Sequence, residues 1–448
     1  MGTPERQNAN KRYASLALWF AFYAGGCYLM AFVLNRADWS RLLPLWSAIW
    51  ALYLWAASFF KKNTDAPEKQ GMGAGWVWGA GVGVRAMLLF SAPNLSDDVW
   101  RFLWDGRLSL AGIHPFSETP RALLESGALG DDAVFQTLFP LLNSPDYYSV
   151  YPPVMQLIFA AAALFDLPFA LIALKIPLLA ADLGAAWFLR QLAPDKRAWI
   201  WYVLNPLVIM ETCGNAHFEG LALCCVLAAL FFFEKKRFAA AGSLIAAGAA
   251  VKLTPLMYLP ALWRMAGWRR GLTLVVCAAI TVFALSAPML DAHTLSHKAQ
   301  SLNLYFRQFA FNGSLYPMAT QIAKAWGVKW VTRVATIGPL LGAAAFSLIL
   351  VGAWRARRVG LYPTLMWAGL IHLLFSATVH PWYLIPAFGL SLLTYWRFPL
   401  VWTGVVAFSY SHYANGLFQE KYVWIATEYA LVAGYGIWEW GKRVNKQP

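Results

Sequence analysis

Apolar stretches near the ~20 residues that an α-helix needs to cross a bilayer recur along almost the whole of this 448-residue chain. Clear examples are 13–34, 40–60, 271–290, 330–354 and 421–440. Charged residues are only 13% of the sequence, against roughly 25% in a soluble domain. No long polar block is left over to fold separately. The expected fold is an all-α polytopic integral membrane protein, one transmembrane domain over 1–448, with about 12–14 transmembrane or half-membrane helices. The longest stretch without a clear span is 93–148.

A net charge of +14 raises the question of nucleic acid. The basic residues answer it by clustering in short loops between spans: "KK" at 61–62, "DKR" at 195–197, "EKKR" at 234–237, "WRR" at 268–270 and "RARR" at 355–358. Cytoplasmic loops of membrane proteins look like this, so membrane lipids are expected partners and nucleic acid is not. The five cysteines (27, 213, 224, 225, 277) are odd in number and lie in or beside apolar segments, which argues against a disulfide framework. No A-x-A-like site follows the first span, so it reads as a retained helix rather than a cleaved signal.

The same clusters orient the chain. With Arg6, Lys11 and Arg12 inside, three spans deliver an external loop at 93–168. "YPPVMQLIFAAAALF" at 151–165 must then be a re-entrant or interfacial helix, because a full span there would put "DKR" and "EKKR" outside. The spans 169–190, 199–213 and 217–233 follow. A break at "KLTP", with Pro255 as breaker, keeps the arginines of "WRR" inside. Both termini are then cytoplasmic. Every polar cluster without an anchoring role falls on the external side: "SDDVWRFLWDG", "GNAHFEG", "VKLTP", a second external loop at 291–328, and "VHPWYL".

In "SDDVWRFLWDGRL" (96–108), Ser96 is a good N-cap, and Asp97 and Asp98 fall in the first helical turn, where the dipole favours anions. Asp97, Arg101 and Asp105 are spaced to share a face. The stretch reads either as a capped interfacial helix with ordinary ion pairs or as an external carboxylate acting as general base. The adjacent carboxylates can also begin a site for a divalent cation, Mg or Mn, although two oxygens fall short of a full shell. In "GNAHFEG", Asn215, His217 and Glu219 are costly within a membrane unless they face a cavity. They are either a satisfied structural turn or ligands of a sugar. Lys252 either snorkels to headgroups or meets a phosphate. Arg85, Lys175 and Arg333 lie near expected external ends and can share that basic lining. "DAHTLSHK" spaces His293 and His297 as metal ligands sometimes are, with no second cluster to support a site. Arg307, in "YFRQFAFNGSLY", and His380, in "VHPWYL", complete the candidates. Asn94 and Asn312 each begin a glycosylation acceptor pattern, which is weak alone.

These elements, in this order, resemble the GT-C superfamily of membrane glycosyltransferases, which use polyprenyl-phosphate sugars. "SDDVWRFLWDGRL…GIHPF" followed by "YPPV" is similar to the first external loop of bacterial members. "WYVLNPL…GNAHFEGL" and then "VKLTPL" look like the NP, GN and K-x-x-P series of those proteins and of the GPI-assembly mannosyltransferases, and "FNGSLY" and "HPWYL" continue the likeness over roughly residues 90–390. The resemblance implies a GT-C fold, a lipid-linked donor, a glycolipid, glycan or protein acceptor, and a catalytic base in the first external loop at Asp97, with Asp98 as close second. Two extra spans before that loop depart from the commonest arrangement.

The implied reaction is one inverting displacement. Asp97 takes the proton of an acceptor hydroxyl as its oxygen attacks the anomeric carbon, and Lys252, Arg307 and His380 stabilise the leaving phosphate. Asp98 and Arg101 position the base, with Asp105 beside them, and Asn215, His217 and Glu219 contact sugar or acceptor hydroxyls. No cofactor is required. Likeness to the mannosyltransferases makes mannose the expected sugar, with glucose, galactose and arabinose open, and a bacterial inner membrane with a periplasmic site is the expected setting. The alternative from another class is a transporter or flippase of lipid-linked sugars. Transporters, however, place their polar sites at the midplane between repeated halves, and no internal repeat is apparent here. A scaffold subunit would have no use for the Asp pair.

Overall fold

The computed structural model describes residues 4–63, 73–291, 294–307, 309–328, 334–416 and 418–444. The protein is an all-α polytopic membrane protein. Among the described residues, five helices are long and apolar enough to cross a bilayer: Tyr13–Phe32, Trp39–Lys61, Leu167–Leu192, Trp268–Met289 and Ala335–Val359.

Helices α1 (Pro4–Phe32) and α2 (Trp39–Asn63) form a hairpin, and α3 (Ala74–Leu88) follows. The first loop holds α4 (Asp98–Leu110), α5 (Pro120–Glu125), α6 (Ala133–Leu138) and α7 (Pro153–Ala162). At 10 residues α7 rises only about 15 Å, half of the ~30 Å hydrocarbon core, so it is too short for a full span. The full-length α8 (Leu167–Leu192) comes next.

The expected single span 199–213 is instead two short helices, α9 (Ala198–Val203) and α10 (Pro206–Ile209), and a π turn at Met210–Gly214. Asn205 causes the first break. Its side chain accepts from the Leu207 and Val208 amides, and Pro206 follows at the first helical position, a strong local start signal. Pro206–Gly214 then meets α11 (Glu219–Glu234) at a bend of 113°.

As expected, the 238–263 stretch divides at "KLTP" into α12 (Phe238–Ala249) and α13 (Leu259–Ala266). The remaining elements are α14 (Trp268–Ser286), α15 (Thr294–Arg307), α16 (Leu315–Ala325), α17 (Val334–Val359), α18 (Leu361–Phe375), α19 (Leu384–Ser391), α20 (Phe398–Val405) and α21 (Tyr422–Val444). The 421–440 stretch does form a helix, α21, but Glu428 and Glu439 are turned inward from it and buried. It is not among the five apolar spans.

Lipid has no hydrophobic effect with which to drive helices together, so close packing must hold them. On α14, Leu272, Val276, Ile280 and Phe283 are exposed, an outward stripe at helical spacing. Gly271, Leu274 and Ala278 are buried on the other side. There the backbone of Gly242 lies so close to Leu274 that a side-chain carbon would strike the Leu274 carbonyl.

Arg85 and Lys175 do not line a face. Both are fully buried. Arg85 Nε lies 2.6 Å from Asp182, and its guanidinium also donates to the Val203 and Gly81 carbonyls. The Lys175 ammonium caps the end of α3 through the Leu88 and Ser91 carbonyls, at 3.0 and 2.6 Å. A buried charge must be paired or heavily hydrogen-bonded, which is why these cations face inward. Arg333 and His293 lie outside the described residues.

Contacts sort the connections into two ends. At one, Lys61 pairs with Asp195 at 2.8 Å and Arg197 donates to the Lys61 carbonyl. At the other, the α1–α2 connection meets the start of α4 through Arg36 and Asp97. The second end carries the candidate site.

Candidate functional site

The site is built on the break between α10 and α11. In the π turn the Asn215 amide reaches back to the Met210 carbonyl at 2.8 Å, and such wide turns are frequent at functional sites. Ala216 then takes a left-handed backbone, φ 61, and the His217 amide returns to the Glu211 carbonyl at 2.9 Å. This folded-back segment gathers Glu211, Asn215, His217 and Glu219, all buried, where a continuous helix would have turned His217 away from the face that the other three share.

Glu211 is the hub. Its Oε1 accepts from the Tyr410 hydroxyl at 2.6 Å, and its Oε2 from Asn215 Nδ2 at 3.1 Å. His217 Nδ1 lies 2.9 Å from the same Oε2. The bond to a carboxylate oxygen assigns the Nδ1 proton to His217 and leaves Nε2 facing the other way. That Nε2 is buried without a hydrogen-bond partner and stands 3.8 Å from Asp98 Oδ2. Asn215 Oδ1 accepts from the Leu95 amide at 3.3 Å, tying this turn to the segment ahead of α4.

The two aspartates part company at the start of α4. The helix begins one residue later than the sequence pattern predicts, with Asp97 rather than Ser96 at the N-cap position. Ser96 Oγ accepts from the Asp98 amide at 3.3 Å. Asp97 pairs with Arg36, whose guanidinium rests on the Tyr413 ring, 4.4 Å from its centroid. Asp98 accepts from Asn143 Nδ2 at 2.9 Å and faces His217.

Lys252 pairs with Glu219 and lies 3.8 Å above the Tyr383 ring. The Val154 amide donates to the Ala250 carbonyl at 3.0 Å, which seats "YPPV" against "VKLTP". His380 stacks on Trp382 at 4.4 Å and on Phe311 at 4.5 Å. Burial first, then the nearby charges of His217, Lys252 and Arg36, hold its imidazole well below the usual histidine range. That direction disfavours the charged form, so His380 is a poor source of the positive charge expected at this position.

Asp97, Asp98, Asn215, His217, Glu219, Lys252 and His380 are thus brought together. Arg101 and Asp105 are not with them. They are buried and spent on each other, at 2.8 Å, while Arg101 donates to the Ser144 and Tyr147 carbonyls and Asp105 accepts from Ser149 and Gln156. The expected common face of Asp97, Arg101 and Asp105 is therefore broken: the last two pin the loop that returns to α7. Arg307 ends α15, and its side chain lies outside the described residues. His297 is used structurally, with Nδ1 2.7 Å from the Phe116 carbonyl and the ring stacked on Tyr148.

As to a divalent cation, Asp97 and Asp98 each already hold a protein donor. Among the described residues no group of three His, Cys, Asp or Glu side chains is placed to hold a metal.

Sequence reasoning missed Arg36, Asn143, Glu211, Tyr410 and Tyr413. Glu211 had a signal: it is a lone carboxylate in the apolar run "VIMETCGN". Arg36, in the hairpin loop "NRAD", follows no pattern.

Residues 23–267 match the family model described as "Alpha-(1->6)-mannopyranosyltransferase, N-terminal domain", of the MptA_B family. The matched stretch contains Arg36, Asp97, Asp98, Glu211, His217, Glu219 and Lys252 and ends before His380, Trp382, Tyr410 and Tyr413. No curated protein and no solved structure matches the chain.

Proposed function

The chain belongs to the alpha-(1->6)-mannopyranosyltransferase family of glycosyltransferases, and from that premise we propose that it draws mannose from a polyprenyl-phosphate donor and passes it to a hydroxyl of a glycolipid, lipid-linked glycan or protein. The reaction takes place at the end of the molecule that carries Asp97 and Asp98. That end is external, and periplasmic if the membrane is a bacterial inner membrane, because the basic loops gather at the other end. The single observation that carries this reading is the convergence of two carboxylates, a histidine with an unpartnered nitrogen and two cations from separated segments of the chain.

Asp97 takes the acceptor proton. The acceptor oxygen attacks the anomeric carbon from the face opposite phosphate, and the bond to phosphate breaks towards the leaving group. An α product formed with inversion requires a β-linked donor. The leaving phosphate is stable as an anion, so a general acid is unnecessary, and Lys252 and Arg36 supply the potential it needs. His217 Nε2 meets a sugar or acceptor hydroxyl, Asp98 aligns it, and the stacked rings of His380 and Trp382 offer a flat apolar wall. No step is routed through a metal. The polar groups sit at helix ends on one side, which favours transfer over the midplane site of a transporter or flippase.

The test is sugar transfer by purified protein in liposomes supplied with a short-chain polyprenyl-phosphate-[14C]mannose and a panel of glycolipids. Wild type is expected to label an acceptor, and Asp97→Asn to lose roughly 10²–10⁴-fold in rate, the span of general-base catalysis. Labelled donor crossing the bilayer with no labelled acceptor would make the protein a flippase. Normal rates from folded Asp97→Asn and Asp98→Asn would end the mechanism.

A further inference from the structure

The carboxylate assigned as base is occupied. Arg36 holds Asp97 Oδ2 through one guanidinium nitrogen, so that oxygen already has a hydrogen-bond donor on it. Both side chains are partly open, 29% exposed for Arg36 and 38% for Asp97, so the pair can be reached from outside. The Arg36 backbone is anchored instead. Its amide donates to the Asn94 carbonyl at 3.4 Å, and Asn94 Nδ2 donates to the Met30 carbonyl at 2.7 Å and to that of Leu34. The loop stays fixed while the long side chain can swing.

We propose that Arg36 is a phosphate-binding residue which the donor draws away from Asp97, so that donor binding itself frees the base. This rests on the polyprenyl-phosphate reading above.

The chemistry of the group supports the exchange. A guanidinium carries five N–H donors in a flat fork that fits phosphate oxygens two at a time, and Asp97 engages one of its nitrogens. Tyr413 supports the flat face of the fork without consuming a donor. The other nearby cation, Lys252, is already claimed by Glu219. A phosphodiester entering with Arg36 still on Asp97 would face Asp97, Asp98 and Glu219 with no released counter-charge. If Arg36 moves to the phosphate, the incoming anion gains its partner in the same step that strips Asp97.

The cycle closes with atoms and charge in balance. The acceptor O–H bond breaks and its proton goes to Asp97. The acceptor oxygen bonds to the anomeric carbon, and the bond from that carbon to the phosphate oxygen breaks with its electrons on phosphate. Protonated Asp97 has no hold on Arg36, so the product phosphate keeps it. Once Asp97 returns its proton to water, it recaptures Arg36 and the polyprenyl phosphate is released. Donor therefore binds before the base is active, and an acceptor alone meets a blocked site.

The experiment measures binding of a short-chain polyprenyl phosphate, without sugar, to wild type, Asp97→Asn, Arg36→Gln and the double variant in nanodiscs. Arg36→Lys serves as a second charge-keeping control, and unfolding temperatures confirm that each is folded. Asp97→Asn is expected to tighten binding. The gain should be about tenfold larger when Arg36 is present than when the same change is made in the Arg36→Gln background, a coupling of ordinary size for groups in contact. Arg36→Gln is expected to weaken binding, with Arg36→Lys in between. Equal tightening in both backgrounds would mean that Asp97 merely repels the anion, which overturns the exchange and leaves the donor reading intact. No binding by wild type or any variant would overturn the donor reading and the exchange together.

Discussion

The His217 imidazole lies face to face with the Trp382 indole, ring centroids 3.6 Å apart and planes 17° from parallel. Glu211 holds one edge of the same imidazole at 2.9 Å, so ring plane, edge and direction are all fixed before any substrate arrives. Such preorganisation is what a site needs to place a hydrogen bond accurately. Trp382 lies beyond the matched stretch 23–267. The histidine is therefore seated by two distant parts of the chain.

If Glu211 is the hub, Glu211→Gln will do more damage than the loss of a single contact. Three donors point at its two oxygens, and an amide nitrogen in place of either oxygen confronts at least one of them. Breaking a buried charged network costs on the order of 3 kcal/mol. The expected outcome is a lower unfolding temperature in detergent together with a transfer rate reduced at least about tenfold. Trp382→Ala removes a buried ring stacked between His217 and His380, so it should lower both transfer and unfolding temperature, and Trp382→Phe should restore most of each. Wild-type transfer by Trp382→Ala would remove the ring from the site.

Much of this arrangement was legible, for identifiable reasons. The break at "KLTP" and the short helix at "YPPV" were forced by charge, since the alternatives left basic loops on the wrong side. The tight turn at "GNAHFEG" showed as polar residues without a lipid-compatible place. What stayed hidden depended on direction rather than spacing. Arg101 and Asp105 have the i, i+4 relation read from the sequence, yet they point into the loop core because Ser149 and Gln156 meet them there. Arg36 reaches Asp97 across 61 positions, which no local pattern encodes.

Gly106 fixes how α4 presents the two aspartates. A side-chain carbon there would run into the Phe159 carbonyl on α7, and Phe102 stacks on Phe159 at 4.7 Å just above. Neither backbone can give way locally, so Gly106→Ala should push α4 off α7 at a cost of about 1–3 kcal/mol. Gly79→Ala, where the added carbon meets nothing within 4 Å, is the control and should be silent. Unfolding temperature and transfer rate should both fall for the first variant. A silent Gly106→Ala would mean that the helices re-seat without moving the carboxylates.

His380 sets a direction for stability against pH. Its folded imidazole is held below the usual range, whereas the unfolded chain titrates near ~6.5. Between the folded value and ~6.5 the unfolded state carries more protons. Stability is therefore complete above ~6.5 and declines as the pH falls below it, by at most about 1.4 kcal/mol per unit. His380→Phe keeps a ring for Trp382 and Phe311 and removes the titration. Between about pH 7.5 and 5.5 its unfolding temperature should drop less than that of wild type. Parallel drops would show that His380 protonates freely in the folded protein.

The last prediction concerns the buried pair that joins α3 to α8. Arg85 and Asp182 are both fully enclosed, 2.6 Å apart, and Asp182 also accepts from the Tyr202 hydroxyl at 2.6 Å. Removing one partner strands a charge where neither water nor lipid can solvate it, at a cost of about 3–5 kcal/mol, whereas replacing both by apolar groups of similar size is often neutral. Asp182→Asn and Arg85→Met should each lower the unfolding temperature sharply. The double variant Arg85→Met with Asp182→Leu should recover most of the loss, the remainder coming from the orphaned Tyr202 hydroxyl and from the Val203 and Gly81 carbonyls that lose the guanidinium. Its transfer activity should follow its stability, since neither residue reaches the site. If the double variant folds as well as wild type but transfers no sugar, the pair does more than brace two helices, and the position of α3 beneath the Asp97 segment becomes part of the catalytic geometry.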